Sequence, residues 1–156
     1  VPTAWIDLPI ELTVLGEGFL RPKIEAEVKR LGLTDSVSLP GFVPDIAAQL
    51  DRADVLLITS RYEGGPAVAV EALARGLAVV STDCSYFLRD LVSDERLGRL
   101  VGGRDPTQLA SAIMAQMATP PAPMDLLQET VAPSRFGKAA AAYLVLFDKL
   151  AGSRSA

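Results

Sequence analysis

Ser60-Arg61-Tyr62-Glu63-Gly64-Gly65-Pro66-Ala67-Val68-Ala69-Val70-Glu71-Ala72-Leu73-Ala74-Arg75-Gly76 decides the reading of this chain. An apolar run, Val55-Leu56-Leu57-Ile58, leads into it, so a strand enters a glycine-rich turn that opens a helix. Pro66 suits the first helical position, where its missing N–H costs nothing. Gly76 suits the helix end, where a left-handed residue is wanted. Between Pro66 and Arg75 the only ionisable side chain is Glu71. A helix apolar on nearly every face is expected to be buried, and a lone carboxylate on it is costly without partners.

The turn also carries anion chemistry. Free N–H groups at a helix start, together with the helix dipole, attract phosphates. Gly64 and Gly65 let a ligand approach the backbone closely. A carboxylate about a turn and a half further along can accept two hydrogen bonds from a cis-diol such as a ribose. Together these read as nucleotide or nucleotide-sugar binding. The same spacing is met by a tight structural turn in which Glu63 is solvated and Glu71 pairs with an arginine or a backbone group.

Ser60 to Gly76 resembles the donor-site signature of family-4 retaining glycosyltransferases, which have the two-domain GT-B fold. That signature is a Glu, seven residues, then a second Glu, here Glu63 and Glu71. Flanking segments agree in order and spacing: Leu12-Thr13-Val14-Leu15-Gly16-Glu17-Gly18, Val37-Ser38-Leu39-Pro40-Gly41-Phe42-Val43 and Ala53-Asp54-Val55-Leu56-Leu57-Ile58-Thr59-Ser60. Gly76-Leu77-Ala78-Val79-Val80-Ser81-Thr82-Asp83 and Gly98-Arg99-Leu100-Val101 complete the set. The resemblance covers residues 11–117 and, more weakly, the helix up to 150.

Apolar runs alternate with helical patterns along the whole chain, the signature of a parallel sheet with crossover helices. Strands are expected near 11–15, 36–39, 54–59, 78–81 and 99–101, and helices near 19–31, 45–51, 66–75, 85–92 and 106–117. The fold class is therefore α/β, and the resemblance makes it Rossmann-like, a parallel sheet with helices on both faces. Residues 118–123, Ala-Thr-Pro-Pro-Ala-Pro, break the pattern. A short helix is expected over Met124–Thr130 and a longer amphipathic one over Phe136–Leu150, with Leu144, Phe147 and Leu150 on a packing stripe. Residues 1–117 then form the donor-binding domain, and 118–156 supply a linker and packing helices of the same domain.

The start of the chain departs from the family. GT-B donor domains open with a strand, a turn and a helix carrying the basic pair that neutralises the donor diphosphate. Val1–Ile10 is too short for a strand plus a crossover helix, and Pro2 and Pro9 argue against a regular substitute strand. The chain does not begin with Met. It is expected to be an excised piece lacking that first unit and the acceptor-binding N-terminal domain, and so inactive when isolated.

Residue by residue, the resemblance implies that Glu71 binds ribose hydroxyls and that Glu63 faces the transferred sugar, the one position considered for a catalytic role. Backbone amides around Gly64, Gly65 and Pro66 would meet the sugar or diphosphate, although Pro66 itself has no N–H. The family often has a larger residue where Gly65 stands. Phe42 and Val43 would lie beside the base, with core packing as the alternative. Gly16 and Gly18 form a turn near the donor cleft; with no third glycine they do not complete a dinucleotide fingerprint. Arg61 would approach the diphosphate or form a surface ion pair. Asp83 and Cys84 belong to the same sheet edge, where open α/β sheets bind ligands.

Composition limits the partners. The chain has 156 residues, 49% of them apolar, a net charge of −4, one cysteine and no histidine, with mean hydropathy +0.29. One globular domain fits, and non-specific nucleic-acid binding does not. Cys84 cannot form an intrachain disulfide. No Asp-x-Asp motif is present, so no divalent-metal site and no cofactor is expected beyond the nucleotide sugar as substrate. With no signal or spanning segment visible, the expected location is cytoplasmic, the parent protein being free to associate with the inner face of a membrane. The acceptor, a sugar, a lipid or another small molecule, would bind through the absent domain. Two alternatives are a catalytically inactive nucleotide-binding or scaffold domain of this fold and a nucleotide-sugar epimerase-like protein.

Overall fold

The computed structural model describes residues 10–152, so Val1 to Pro9, with the substitute strand considered there, lie outside the described residues. The chain divides into two compact units between Ala48 and Gln49.

The first unit is β1 (Leu12–Leu15), α1 (Arg21–Arg30) and β2 (Val37–Gly41). The strands pair in parallel, Leu12 with Val37 and Thr13 with Ser38, and the register slips before Leu15 meets Gly41. A parallel pair needs a crossover, and α1 supplies it. The helix begins at Arg21, two residues later than expected, with Pro22 in its first turn, where no N–H is needed. Arg21 ties the unit together. Its guanidinium donates to Glu17 Oε1 at 2.8 Å, to Glu25 Oε1 at 2.8 Å and to the Leu39 carbonyl of β2 at 2.6 Å. The carboxylates on either side hold Arg21 in its charged form, its pKa raised first by the hydrogen bond it donates to Glu25.

Then α2 (Ile46–Leu50) starts where Asp45 Oδ1 accepts the Ala48 N–H at 3.0 Å. In the second unit, β3 (Val55–Ile58), β4 (Ala78–Thr82) and β5 (Gly98–Val101) form a parallel sheet in that order. The register is Ile58 to Ser81 and Thr82 to Val101 at the carboxyl ends. α3 (Ala67–Ala74) and α4 (Tyr86–Leu91) are the crossovers. After β5 come α5 (Pro106–Met117), α6 (Met124–Val131), a single 3₁₀ turn and α7 (Phe136–Gly152).

Successive residues of a strand point to opposite faces. Val79, Val80, Ser81 and Thr82 are all buried, so both faces of β4 are covered. α3 and α5 pack on that strand and α6 packs on α3. Leu73, Leu88, Leu97, Val79 and Val80 are fully enclosed, each leucine contributing about 1.5–3 kcal/mol through burial. The α/β class, a Rossmann-like parallel arrangement with helices on both faces, is the one read from the sequence.

Two details differ from expectation. Pro66 is the residue before the first turn of α3, not its first helical residue, and its carbonyl accepts the Ala69 N–H at 3.0 Å. The α7 stripe Leu144, Phe147 and Leu150 is exposed, as are Tyr143, Val145 and Leu146. The apolar spacing is there, but these side chains are exposed among the described residues.

Gly98 sets how β5 meets β4. Its φ is +156°, and a Cβ there would overlap the Val79 carbonyl. Gly64 has open space around its Cβ position. Gly98→Ala is therefore expected to destabilise the fold by about 3 kcal/mol or more, while Gly64→Ala changes it by less than about 0.5 kcal/mol. Urea unfolding of the two variants checks the contrast.

Candidate functional site

β3, β4 and β5 run in parallel, so their carboxyl ends share one edge of the sheet. There the turn Ser60–Gly65 is held by the loop that follows β4. Thr82 Oγ1 donates to the Ser60 carbonyl at 2.6 Å, the Glu63 N–H to the Cys84 carbonyl at 3.0 Å, and Ser85 Oγ to the Gly64 carbonyl at 2.8 Å. Ser85 Oγ also accepts the Phe87 N–H at 3.2 Å, capping α4. One buried hydroxyl thus fixes both the helix start and the glycine turn.

The held turn leaves polar groups free. The amides of Gly64, Gly65, Ala67 and Val68 have no acceptor among the described residues. Glu63 is exposed, and its Oε1 accepts the Ser60 hydroxyl at 2.6 Å. Glu71 is exposed too, with no hydrogen-bond or ion-pair partner among the described residues. This corrects the expectation of a buried carboxylate. α3 buries Ala69, Ala72 and Leu73 and turns Glu71, with Ala67 and Ala74, to the surface. The structural alternative, Glu71 paired to an arginine or the backbone, is not what the chain adopts. Arg75, the nearest arginine in sequence, bonds Asp51 at 2.5 Å instead.

A cavity of about 490 Å³ opens at this edge, lined by Ser60, Arg61, Tyr62, Thr82, Asp83 and Cys84, and by Gly102, Gly103 and Arg104 after β5. Arg61 forms no ion pair among the described residues. Asp83 is gripped by Arg89 through two bonds of 2.7 Å. Those bonds hold its carboxyl below the usual carboxylate range and raise the Arg89 pKa. Asp83 is therefore an ion-pair partner, and Ser85 caps α4. Arg89 also lies over the Tyr86 ring at 5.0 Å.

The remaining candidates belong to the first unit. The Gly16 N–H donates to the Gly41 carbonyl at 2.7 Å, which joins the Gly16–Gly18 turn to the turn carrying Phe42 and Val43. Gly16 has φ +107° and Gly41 φ +81°, conformations that favour glycine. Phe42 is 78% exposed and Val43 half-buried, so Phe42 is not core packing. The structure thus gathers Gly16, Gly18, Phe42 and Val43 within one unit, and Arg61, Glu63, Gly64, Gly65, Pro66 and Glu71 within the other.

Residues 3–118 match the family described as glycosyl transferases group 1. The chain belongs to that family. It is 35% identical over 92 residues to the N-acetylgalactosamine-N,N'-diacetylbacillosaminyl-diphospho-undecaprenol 4-alpha-N-acetylgalactosaminyltransferase of Campylobacter jejuni, a match covering 59% of this chain and 25% of that one. The chain spans about a quarter of the length of the first relatives it matches. Its fold is similar to the lipopolysaccharide outer core galactosyltransferase WaaB, with TM-score 0.74 and 22% identity over 89% of this chain and 41% of that one. It is similar also to Anabaena Alr3699/HepE in complex with UDP, with TM-score 0.64 and 20% identity over 92% and 41%. No helix among the described residues is long and apolar enough to cross a membrane.

For this group 1 chain, sequence reasoning missed the tethers Thr82 and Ser85 and the cavity residue Arg104. Ser85 left a faint signal, a serine just before a helical run, but its bond to a turn 21 residues away left none. Ser85→Ala removes the cap and the tether together and is expected to cost about 1–2 kcal/mol. Thermal unfolding reads the loss, and faster hydrogen exchange at the Phe87 amide reads the lost cap.

Proposed function

We propose that this chain is the donor-binding part of a retaining, family-4 glycosyltransferase that moves a sugar from a nucleotide-diphosphate sugar to an acceptor. The observation that carries the proposal is Glu71, a carboxylate left exposed and unpartnered on an otherwise apolar helix, one short helix segment past a run of unbonded amides. A group in that state is ready to accept two hydrogen bonds from a vicinal diol. The UDP held by the similar HepE structure fits this reading.

In the proposed reaction the bond from the sugar's anomeric carbon to the diphosphate oxygen breaks and a bond to the acceptor oxygen forms. The acceptor's proton leaves with the diphosphate. Glu71 binds the ribose, the amides of Gly64 and Gly65 and those after Pro66 meet the sugar or the diphosphate, and Arg61 approaches the diphosphate. Glu63, already fixed by Ser60 at 2.6 Å, orients the sugar and steadies positive charge developing on it. The chain has no histidine and no Asp-x-Asp motif, which favours charge stabilisation by amides and cations over a resident divalent metal.

Calorimetric titration of the chain with UDP and with GDP tests the donor role. One of the two is expected to bind, and Glu71→Ala to weaken it about tenfold or more, equivalent to about 1.4 kcal/mol. Unchanged affinity in Glu71→Ala removes the ribose role. In a longer protein that contains this segment, Glu63→Gln is expected to lower turnover at least about a hundredfold with donor affinity little changed; undiminished turnover removes Glu63 from the chemistry.

A further inference from the structure

The cavity at the carboxyl ends of β3, β4 and β5 has a charge balance opposite to that of the chain. The protein carries −4 overall, yet Arg61 and Arg104 both line this cavity, one from the turn after β3 and the other from the loop after β5. Neither has a hydrogen-bond or ion-pair partner among the described residues. Arg21, Arg30, Arg75, Arg89, Arg96 and Arg99 each meet a carboxylate. The lone acid of the lining, Asp83, is already neutralised by Arg89.

We propose that Arg61 and Arg104 together form a binding site for a phosphate or diphosphate group in this cavity. The geometry suits such a ligand. Both arginines line the one cavity, and the planar fork of a guanidinium matches phosphate oxygens. The backbone amides of Arg61, Tyr62, Gly103 and Arg104 have no acceptor among the described residues. Gly102 and Gly103 place no side chain in the way, with open space at both Cβ positions. A volume of about 490 Å³ admits a diphosphate with part of the molecule that bears it. The phosphate belongs either to the donor, which deepens the reading above and rests on it, or to a separate phosphorylated substrate. Arg104 has a role in both cases.

Pyrophosphate is the probe, titrated calorimetrically at low salt into the 156-residue chain and into Arg61→Gln, Arg104→Gln and Glu71→Ala. Wild type is expected to bind it. Each arginine variant is expected to weaken binding about tenfold and to flatten its salt dependence. Arg104→Lys, which keeps the charge without the fork, is expected to lie between. Equal binding by wild type and Arg104→Gln, or no binding by wild type, overturns the site. Repeating the titration with saturating UDP assigns the source: competition places the donor diphosphate there, and undiminished binding assigns a second phosphate group. UDP binding that Glu71→Ala does not alter counts against the donor reading alone and leaves the arginine site standing.

Discussion

The bond from Ser85 Oγ to the Gly64 carbonyl, 2.8 Å long, is the constraint on which the functional edge depends. A glycine turn opening a short helix has several accessible shapes, because Gly64 and Gly65 restrict the backbone little. Three hydrogen bonds with the end of β4 and the loop after it select one of them. That loop is itself fixed, since β4 is buried on both faces and pairs on both sides. Rigidity therefore passes from the buried strand through Thr82, Cys84 and Ser85 to a turn whose own residues are exposed. Ser85 also caps α4, so releasing the turn means uncapping a helix, and the two losses are coupled.

The sequence made the strands and helices legible because their burial is regular. Val55–Ile58 and Ala78–Thr82 are apolar or small throughout, as strands covered on both faces must be. Glu71 was misread for the opposite reason. Alanine dominates α3, and alanine is equally at home on a surface and in a core, so composition could not show that only Ala69, Ala72 and Leu73 face inward. The spacing of Glu63 and Glu71 was visible; the freedom of Glu71 was not, because it depends on Arg75 being drawn to Asp51, a residue 24 positions away. Ser85 and Arg104 were invisible for a related reason. Their significance is in which loops the parallel sheet brings to one edge, and no local pattern encodes that.

Charge is arranged in the same economical way. Asp83, at the carboxyl edge of the sheet, is committed to Arg89, and ahead of β5 Asp94 pairs with Arg96 and Glu95 with Arg99. Asp94 is held so firmly by the Arg96 side-chain bond that its pKa is lowered to about 2. These exposed pairs contribute little to stability individually. The Asp83–Arg89 pair also removes the one acid of the cavity lining as a competitor for Arg61 and Arg104. An acidic protein can thus present a locally positive cavity, and long-range repulsion of an anion by the net charge is screened over about a Debye length.

Gly65 shows how the turn and α4 share one space. A Cβ at this position would lie 3.5 Å from the Phe87 ring, an ordinary contact, so the backbone aims residue 65 at the ring face. A larger side chain there would cover the ring. With glycine the half-buried ring keeps that face uncovered beside the free Gly65 amide. The turn therefore presents a polar donor and an apolar surface side by side. Phe87 holds its place because the helix carrying it begins at Ser85. The residue that shapes the turn also positions the ring beside it, so one serine sets both the free amide and the apolar surface next to it.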